Sequence, residues 1–261
     1  MTRNGIQAID RMFDIIEHIQ YVEGAGVSTL AEDLNMAKST IHSHLSTLER
    51  RGYVVKDDDN QYHLGLRFFA LGATVRQKRT IYHHVQPLLE EIAEETNESV
   101  NYVVETDGKM VFAGIGRGKE GIRTDIHVGF CTDLHTTPEG KLLLAFLPEE
   151  RRDEILDGLE FPLENRVGRA SFLAELEQIR EDGIAHGNVS IVDDVGTVAA
   201  PIVDNQGQFH GGIVVPVPAL RFDQDRVEEI AEILRYKIGK LNINISYQDM
   251  NYRIESDLKT R

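Results

Sequence analysis

An α+β fold in two parts is predicted by three observations on the sequence. Helix-period apolar stripes followed by one short polar hairpin fill residues 1–65, and the pattern changes beyond them. The ten basic and ten acidic residues of 1–79 cancel, so the whole net charge of −15 belongs to the rest of the chain. Such asymmetry suggests two parts facing different partners. The second part mixes helical stretches with strand-like runs around turns at Asp107–Gly108 and Asn205–Gln206–Gly207, as expected of helices packed on a mixed or antiparallel sheet.

Ile6, Ile9, Phe13 and Ile16 form an apolar stripe that predicts a first helix over 6–22, ended by Glu23–Gly26. Ser28 then stands where its hydroxyl can cap a short second helix, and Asn35 can end that helix in a left-handed conformation. A third helix is predicted from Lys38 to Arg51, with Gly52 just past its end. "YVVKDDDNQYHLG" reads as two strands around a polar turn. Three helices and a hairpin in this length make a winged helix-turn-helix. Ala31, Asn35 and Ile41 fall where that motif needs a small contact, a permissive turn and a buried β-branched anchor.

A linker helix is predicted over 66–80, with Leu66, Phe69, Ala70 and Ala73 suited to packing on another chain. The second domain is predicted over 81–245 and a polar tail over 246–261. It begins with a helix near 81–96 and continues with strands "SVNYVVET", "KMVFAGIG" and "GIRTDIHV". "TPEGKLLLAFL" and "PEERRDEIL" read as helices opened by proline; "SFLAELEQIREDG" reads as a helix capped by Ser171 and stopped by Gly183. "GTVAAPIVDNQGQFHGGIVVPVP" reads as a buried hairpin. A last helix, about 223–241, turns Val227, Ile230, Leu234 and Leu241 inward.

Hydrophobic residues make up 41% and charged residues 27% of the 261, which is globular rather than disordered. No apolar run approaches the ~20 residues of a membrane helix, and the N-terminus lacks a signal-peptide core. One cysteine, Cys131, excludes an intramolecular disulfide framework and fits a reducing cytoplasm. The acidic surplus, with arginine outnumbering lysine, is the composition of a protein from a salt-rich cytoplasm.

Three collinear stretches carry a resemblance: "STLAEDLNMAKSTIHSHLSTLERRGYV" with "YHLGLRFFALG", then "VGFCTDLHTTPEGKLLLAFLPEE", then "GTVAAPIVDNQGQFHGGIVVPVPALR". They resemble the IclR family of transcription regulators over roughly residues 5–240. The resemblance implies a GAF-like C-terminal domain that binds a small-molecule effector, and a homodimer or dimer of dimers on a pseudo-palindromic DNA operator. No cofactor and no membrane are implied.

An α-helix fits the major groove of DNA with its N-terminal side chains at the base edges. Lys38, Ser39, Thr40, His42, Ser43, His44 and Thr47 are so placed on the third helix. Ser28 and Thr29 can bond a phosphate at a helix N-terminus, and Arg50, Arg51 and Lys56 can neutralise phosphates. The family often has arginine at Ser43, and the Asp57–Asp59 tip should repel the DNA backbone, so this reader is expected to have low charge and a shallow salt dependence.

By the resemblance, Thr136, Thr137 and Glu139 of "HTTPEGK" belong to the effector loop, and Asn188 and Thr197 to the opposite wall. Pro138 lacks an N–H, and Glu139 would repel an anion if turned inward, which favours a sugar or other neutral polyol over a carboxylate. The wall segment "AHGNVSIVDDVGTV" also lacks the family's usual acidic pair and cysteine.

Two other functions are weighed against this one. His127, Cys131 and His135 recur at a spacing that aligns metal ligands only on a helix, and Gly129 argues against one there. No nucleophile elbow, P-loop or zinc-protease motif is present, so an enzyme with a vestigial helix-turn-helix has only Cys131 with His135 to offer. A dimeric ligand-binding scaffold that never touches DNA is the remaining alternative. A gel shift with Ser39, Thr40 and His42 replaced separates a regulator from the enzyme, and footprinting of the protein's own upstream region separates it from the scaffold.

Overall fold

The computed structural model describes residues 6–78, 81–122, 124, 126–158, 168–188 and 194–259, with side chains as far as Leu241. The chain forms two compact units, Met1–Arg79 and Thr80–Arg261.

In the first unit, helices α1 (Gln7–Tyr21), α2 (Val27–Asp33) and α3 (Lys38–Arg50) precede a hairpin of β1 (Val54–Lys56) and β2 (Tyr62–Leu64), then helix α4 (Arg67–Lys78). Asn35 and Gly52 both have positive φ, as the turn between α2 and α3 and the stop of α3 require. Ile15 and Ile19 of α1, Leu30 of α2, and Ile41, Leu45 and Leu48 of α3 meet in one core with Val54 and Tyr62. Each such side chain contributes roughly 1.5–3 kcal/mol on burial. Phe68 closes the core from α4, edge-on to Tyr53 at 5.1 Å. Ser28 is not a cap. Helix α2 starts two residues earlier, at Val27 with Gly26 as its N-cap, and the Ser28 hydroxyl instead accepts from Lys38 Nζ at 2.9 Å.

The second unit is a three-layer arrangement. Strands β3 (Val100–Thr106), β4 (Lys109–Gly116), β5 (Cys131–Asp133), β6 (Ala185–Asn188), β7 (Val195–Val203) and β8 (Phe209–Pro218) form one sheet in the order β5-β4-β3-β8-β7-β6. All its pairings are antiparallel. Alternation along the strands divides the core: Val198, Ala200 and Ile202 face one side, where α5 (Ile81–Thr96) and α9 (Gln224–Lys259) pack. Ala199, Val103 and Val214 face the other, against α6 (Pro138–Phe146), α7 (Glu149–Asp157) and α8 (Arg169–Asp182). Glu98, at 1% exposure, accepts from Arg221 Nη2 with both carboxylate oxygens at 2.8 Å, tying the start of β3 to the turn before α9. Removing Arg221 would take the bidentate partner away from a buried carboxylate, the costly half of breaking such a pair.

Four sequence expectations differ from the structure here. Residues 121–128 were expected to be a strand. The described ones are not, because the ladder on β4 begins only at Gly129, whose N–H donates to Phe112 O at 2.7 Å. Ser171 lies inside α8, which Gly168 caps, and Pro148 is itself the N-cap of α7. The backbone of α9 continues to Lys259, well beyond the apolar periodicity that ends at Leu241.

Candidate nucleic-acid interface and ligand cavity

Helix α3 has two unlike sides. Ile41, Leu45 and Leu48 anchor it in the core, and their spacing leaves Ser39, His42, Ser43, Thr47 and Arg50 exposed opposite them. Thr40 and His44 flank that surface half-buried; Lys38 opens the helix exposed, and Arg51 caps its end exposed. The hydroxyls of Ser43 and Thr47 donate back to the carbonyls of Ser39 and Ser43, at 2.9 and 3.0 Å. Their oxygens remain acceptors toward outside donors. Ser28 and Thr29 are exposed at the start of α2, where the Lys38–Ser28 bond brings the two helix N-termini together. Lys56 is exposed on β1, its ammonium over the Tyr62 ring at 5.6 Å. All twelve positions read from the sequence therefore reach the surface of this one unit.

The wing tip is less repulsive than its sequence suggests. One oxygen of Asp57 accepts the N–H groups of Asp59 and Gln61, at 3.0 and 2.8 Å, and the other meets His63 Nε2 at 2.8 Å. The other ring nitrogen of His63 faces Glu23 O at 2.9 Å. With an acceptor at each nitrogen, the ring makes both bonds only as imidazolium. The Asp57 hydrogen bond, then the Glu23 carbonyl, raises the His63 pKa, and the same His63 bond lowers that of Asp57. The tip charge of Asp57 is thus balanced locally, and the wing is tied to the loop after α1.

In the second unit a small cavity of about 40 Å³, partly open to solvent, lies on the α6 side of the sheet. Its apolar lining is Phe112, Ile115, Ile122, Ile126, Val195, Val214 and Pro216; its polar lining is Ser99, Asn101, Arg117, Thr124, Glu139 and Thr197. Ile122, Thr124 and Ile126 lie along it, and the Ser99 hydroxyl, just before β3, donates to Ile122 O at 3.2 Å. Their alternating pattern serves the cavity wall rather than a strand. Gly140 lets the first turn of α6 approach the chain closely, since a Cβ there would stand 2.1 Å from Leu134 O. Thr137, fully buried, caps that turn by accepting from Gly140 N at 3.1 Å.

Of the five residues read from the sequence as effector contacts, Glu139 and Thr197 meet in this cavity. The Thr197 hydroxyl donates to Glu139 Oε2 at 2.9 Å. Burial pushes the Glu139 pKa up, outweighing its own backbone N–H and the Thr197 bond, both of which lower it. Thr137 acts as the cap behind them. Thr136 is exposed, its hydroxyl donating to Asp133 O at 3.3 Å, and Asn188 is exposed on β6; neither is among the lining residues. Sequence reasoning missed Ser99, Asn101 and Arg117. The one available signal was period-two alternation, which places Asn101 on the same sheet face as Val103.

A winged helix-turn-helix unit and a cavity-bearing α/β unit in one chain are the make-up of a ligand-responsive transcription regulator. The comparisons with known proteins carry this to a family. The profile described as "IclR helix-turn-helix domain" matches residues 8–58, and "Bacterial transcriptional regulator IclR C-terminal" matches residues 73–241. The HTH-type transcriptional regulator BhcR of Paracoccus denitrificans is 30% identical over 238 residues, covering 87% of this chain and 83% of that one. The "Probable HTH-type transcriptional regulator ArcR" of Halobacterium salinarum is 28% identical over 222 residues, 83% of this chain and 84% of that one. The crystal structure of the Thermotoga maritima IclR superposes with a TM-score of 0.70 at 26% identity, covering 92% of this chain and 99% of that one. The chain belongs to the IclR family of DNA-binding transcriptional regulators, whose C-terminal domain binds a ligand.

Proposed function

We propose that the protein reads a pseudo-palindromic operator as a homodimer or dimer of dimers, and that a small molecule in the cavity changes its affinity for that operator. The observation that carries the first half is the exposed polar face of α3, held by the buried Ile41, Leu45 and Leu48. Ser39, Thr40, His42, Ser43, His44 and Thr47 meet base edges, while Ser28, Thr29, Lys38, Arg50, Arg51 and Lys56 meet phosphates. Leu66 and Phe69 at the start of α4 are 84% and 75% exposed, and Ile6, Ile9 and Phe13 of α1 are exposed as well. Apolar surface of this kind within a DNA-binding unit supports self-association through α1 and α4, and two-fold symmetry then sets the symmetry of the operator.

Glu139 and Thr197 are the contacts proposed in the cavity, with Thr137 shaping the loop that carries Glu139. Thr136 and Asn188 act at most at its margin. Effector coupling of this kind is typically about 1–3 kcal/mol. Read this way the cavity is regulatory and not catalytic, and the protein works where the DNA is, in the cytoplasm. The test is footprinting and gel shift on the DNA upstream of the protein's own gene. A protected, pseudo-palindromic site supports the reading, and an unprotected one together with no sequence-selective binding defeats it.

A further inference from the structure

The wing is fastened through one imidazole. His63 on β2 faces an acceptor at each ring nitrogen, Asp57 Oδ2 at 2.8 Å and Glu23 O at 2.9 Å. The ring fills the space a side chain at Gly24 would take, since a Cβ there would stand 2.3 Å from His63 Cε1. Beside it, Tyr62 N donates to Ala25 O at 3.0 Å and Ala25 N to Tyr62 O at 3.2 Å. The next residue, Gly26, caps α2, whose first turn carries Ser28 and Thr29. The loop 23–26 therefore joins the wing to the start of α2, and His63 is its side-chain clasp.

A neutral imidazole has one N–H, so one of its nitrogens would then present a lone pair to an oxygen lone pair. Deprotonation opens the clasp at Asp57 or at Glu23. It also removes the cation that pairs with the acidic tip of Asp57, Asp58 and Asp59. The charged residues flanking the ring are Asp57 on the turn, Glu23 on the loop after α1 and Lys56 on β1, whose ammonium stands over Tyr62; of these, Asp57 is the charge that acts on it. The second unit supplies a contrast. At the β7–β8 turn Asp204 likewise accepts the N–H groups of Gln206 and Gln208 and meets His210 Nε2 at 2.8 Å. There the other ring nitrogen has no acceptor among the described residues. An Asp–His turn is thus a way of closing a hairpin, and the Glu23 carbonyl is what the wing adds.

Taking α3, Lys56 and the α2 N-terminus as the DNA contacts, we propose that His63 is a positioning residue for operator binding, and that its clasp makes that binding proton-linked. The imidazolium holds the wing in place beside the DNA and offsets the acidic tip; the neutral ring does neither. DNA phosphates favour the cation in turn, so binding takes up protons at His63, as reciprocal linkage requires. The His63 pKa, raised by Asp57 and then by the Glu23 carbonyl, sets the window. Affinity is full below the ordinary value of 6.5 and falls as pH rises through the raised one.

The test is operator binding by the full-length protein, followed by anisotropy from about pH 6 to about pH 9 and by calorimetry in buffers of different ionisation enthalpy. Wild-type affinity should fall by about two- to fivefold as pH rises, the range of a partly exposed ion pair, with net proton uptake on binding. His63→Gln should bind with the weaker, high-pH affinity throughout and take up fewer protons. Asp57→Asn should move the fall to lower pH, and it decides the matter if His63→Gln does not fold by circular dichroism. His42 and His44 belong to the α3 face, so replacing both by glutamine should weaken binding overall yet keep the His63-dependent step. A pH-independent affinity, a wild-type slope in His63→Gln, an unmoved midpoint in Asp57→Asn, or a fall that vanishes with His42 and His44 would each overturn the proposal while the operator reading stands. If no sequence-selective binding appears at any pH, that reading and this proposal fail together.

Discussion

The ammonium of Lys38 donates to the hydroxyl of Ser28 at 2.9 Å, joining the first turn of α3 to the first turn of α2. Both residues are exposed, so one phosphate oxygen can take bonds from both side chains and from the α2 N-terminus. Lys38→Ala should therefore weaken binding to operator and unrelated DNA alike, and lower the slope of log K against log salt by about 1. Fluorescence anisotropy across a salt series measures it. A loss confined to the operator would instead assign Lys38 to base reading.

His63 couples the wing to pH. Its pKa is raised in the folded state, so its contribution to stability is fully present below the ordinary value of 6.5 and is lost as pH rises through the raised value. Asp57 runs the other way: its pKa is lowered, so its contribution is present above 3.8 and is lost as pH falls through the lowered value. The pair is strongest between those two ordinary values. An NMR titration should place the His63 imidazole above 6.5, and Asp57→Asn should bring it back down. A His63 midpoint at or below the ordinary value would contradict the bridged geometry.

Exposed Leu66 and Phe69 should matter to assembly more than to folding. Replacing both by glutamate is expected to change the thermal midpoint of a dilute, dissociated sample little, since neither side chain is in the core. Sedimentation velocity should show the assembly shifted toward monomer, with operator affinity falling as the second half-site is lost. An unchanged sedimentation coefficient would move the interface elsewhere.

The recognition helix was legible because one short stretch carries all its determinants: an apolar triad at 41, 45 and 48, a permissive turn at Asn35 and a stop at Gly52. The cavity was legible only where the loop and β7 meet, at Glu139 and Thr197. Its remaining polar groups come from the start of β3, from just past the end of β4 and from Thr124, and distant pairing places them together. Local patterns misled in two physical ways. Ser28 and Ser171 have the chemistry of caps, but each helix begins earlier, and Lys38 claims the Ser28 hydroxyl. Ile122, Thr124 and Ile126 read as one face of a strand, and all three line the cavity instead. The Glu98–Arg221 pair, 123 positions apart, leaves no local pattern.

The central claim is that the exposed face of α3 selects the operator. Its most direct measurement is the affinity of wild type and of the Ser39→Ala, Thr40→Ala, His42→Ala triple variant for the footprinted site and for a scrambled duplex. Loss of base contacts worth about 1–3 kcal/mol each should bring the variant's operator affinity down toward its unchanged affinity for scrambled DNA, with the fold intact by circular dichroism. A folded variant that still prefers the operator as strongly as wild type would contradict the account.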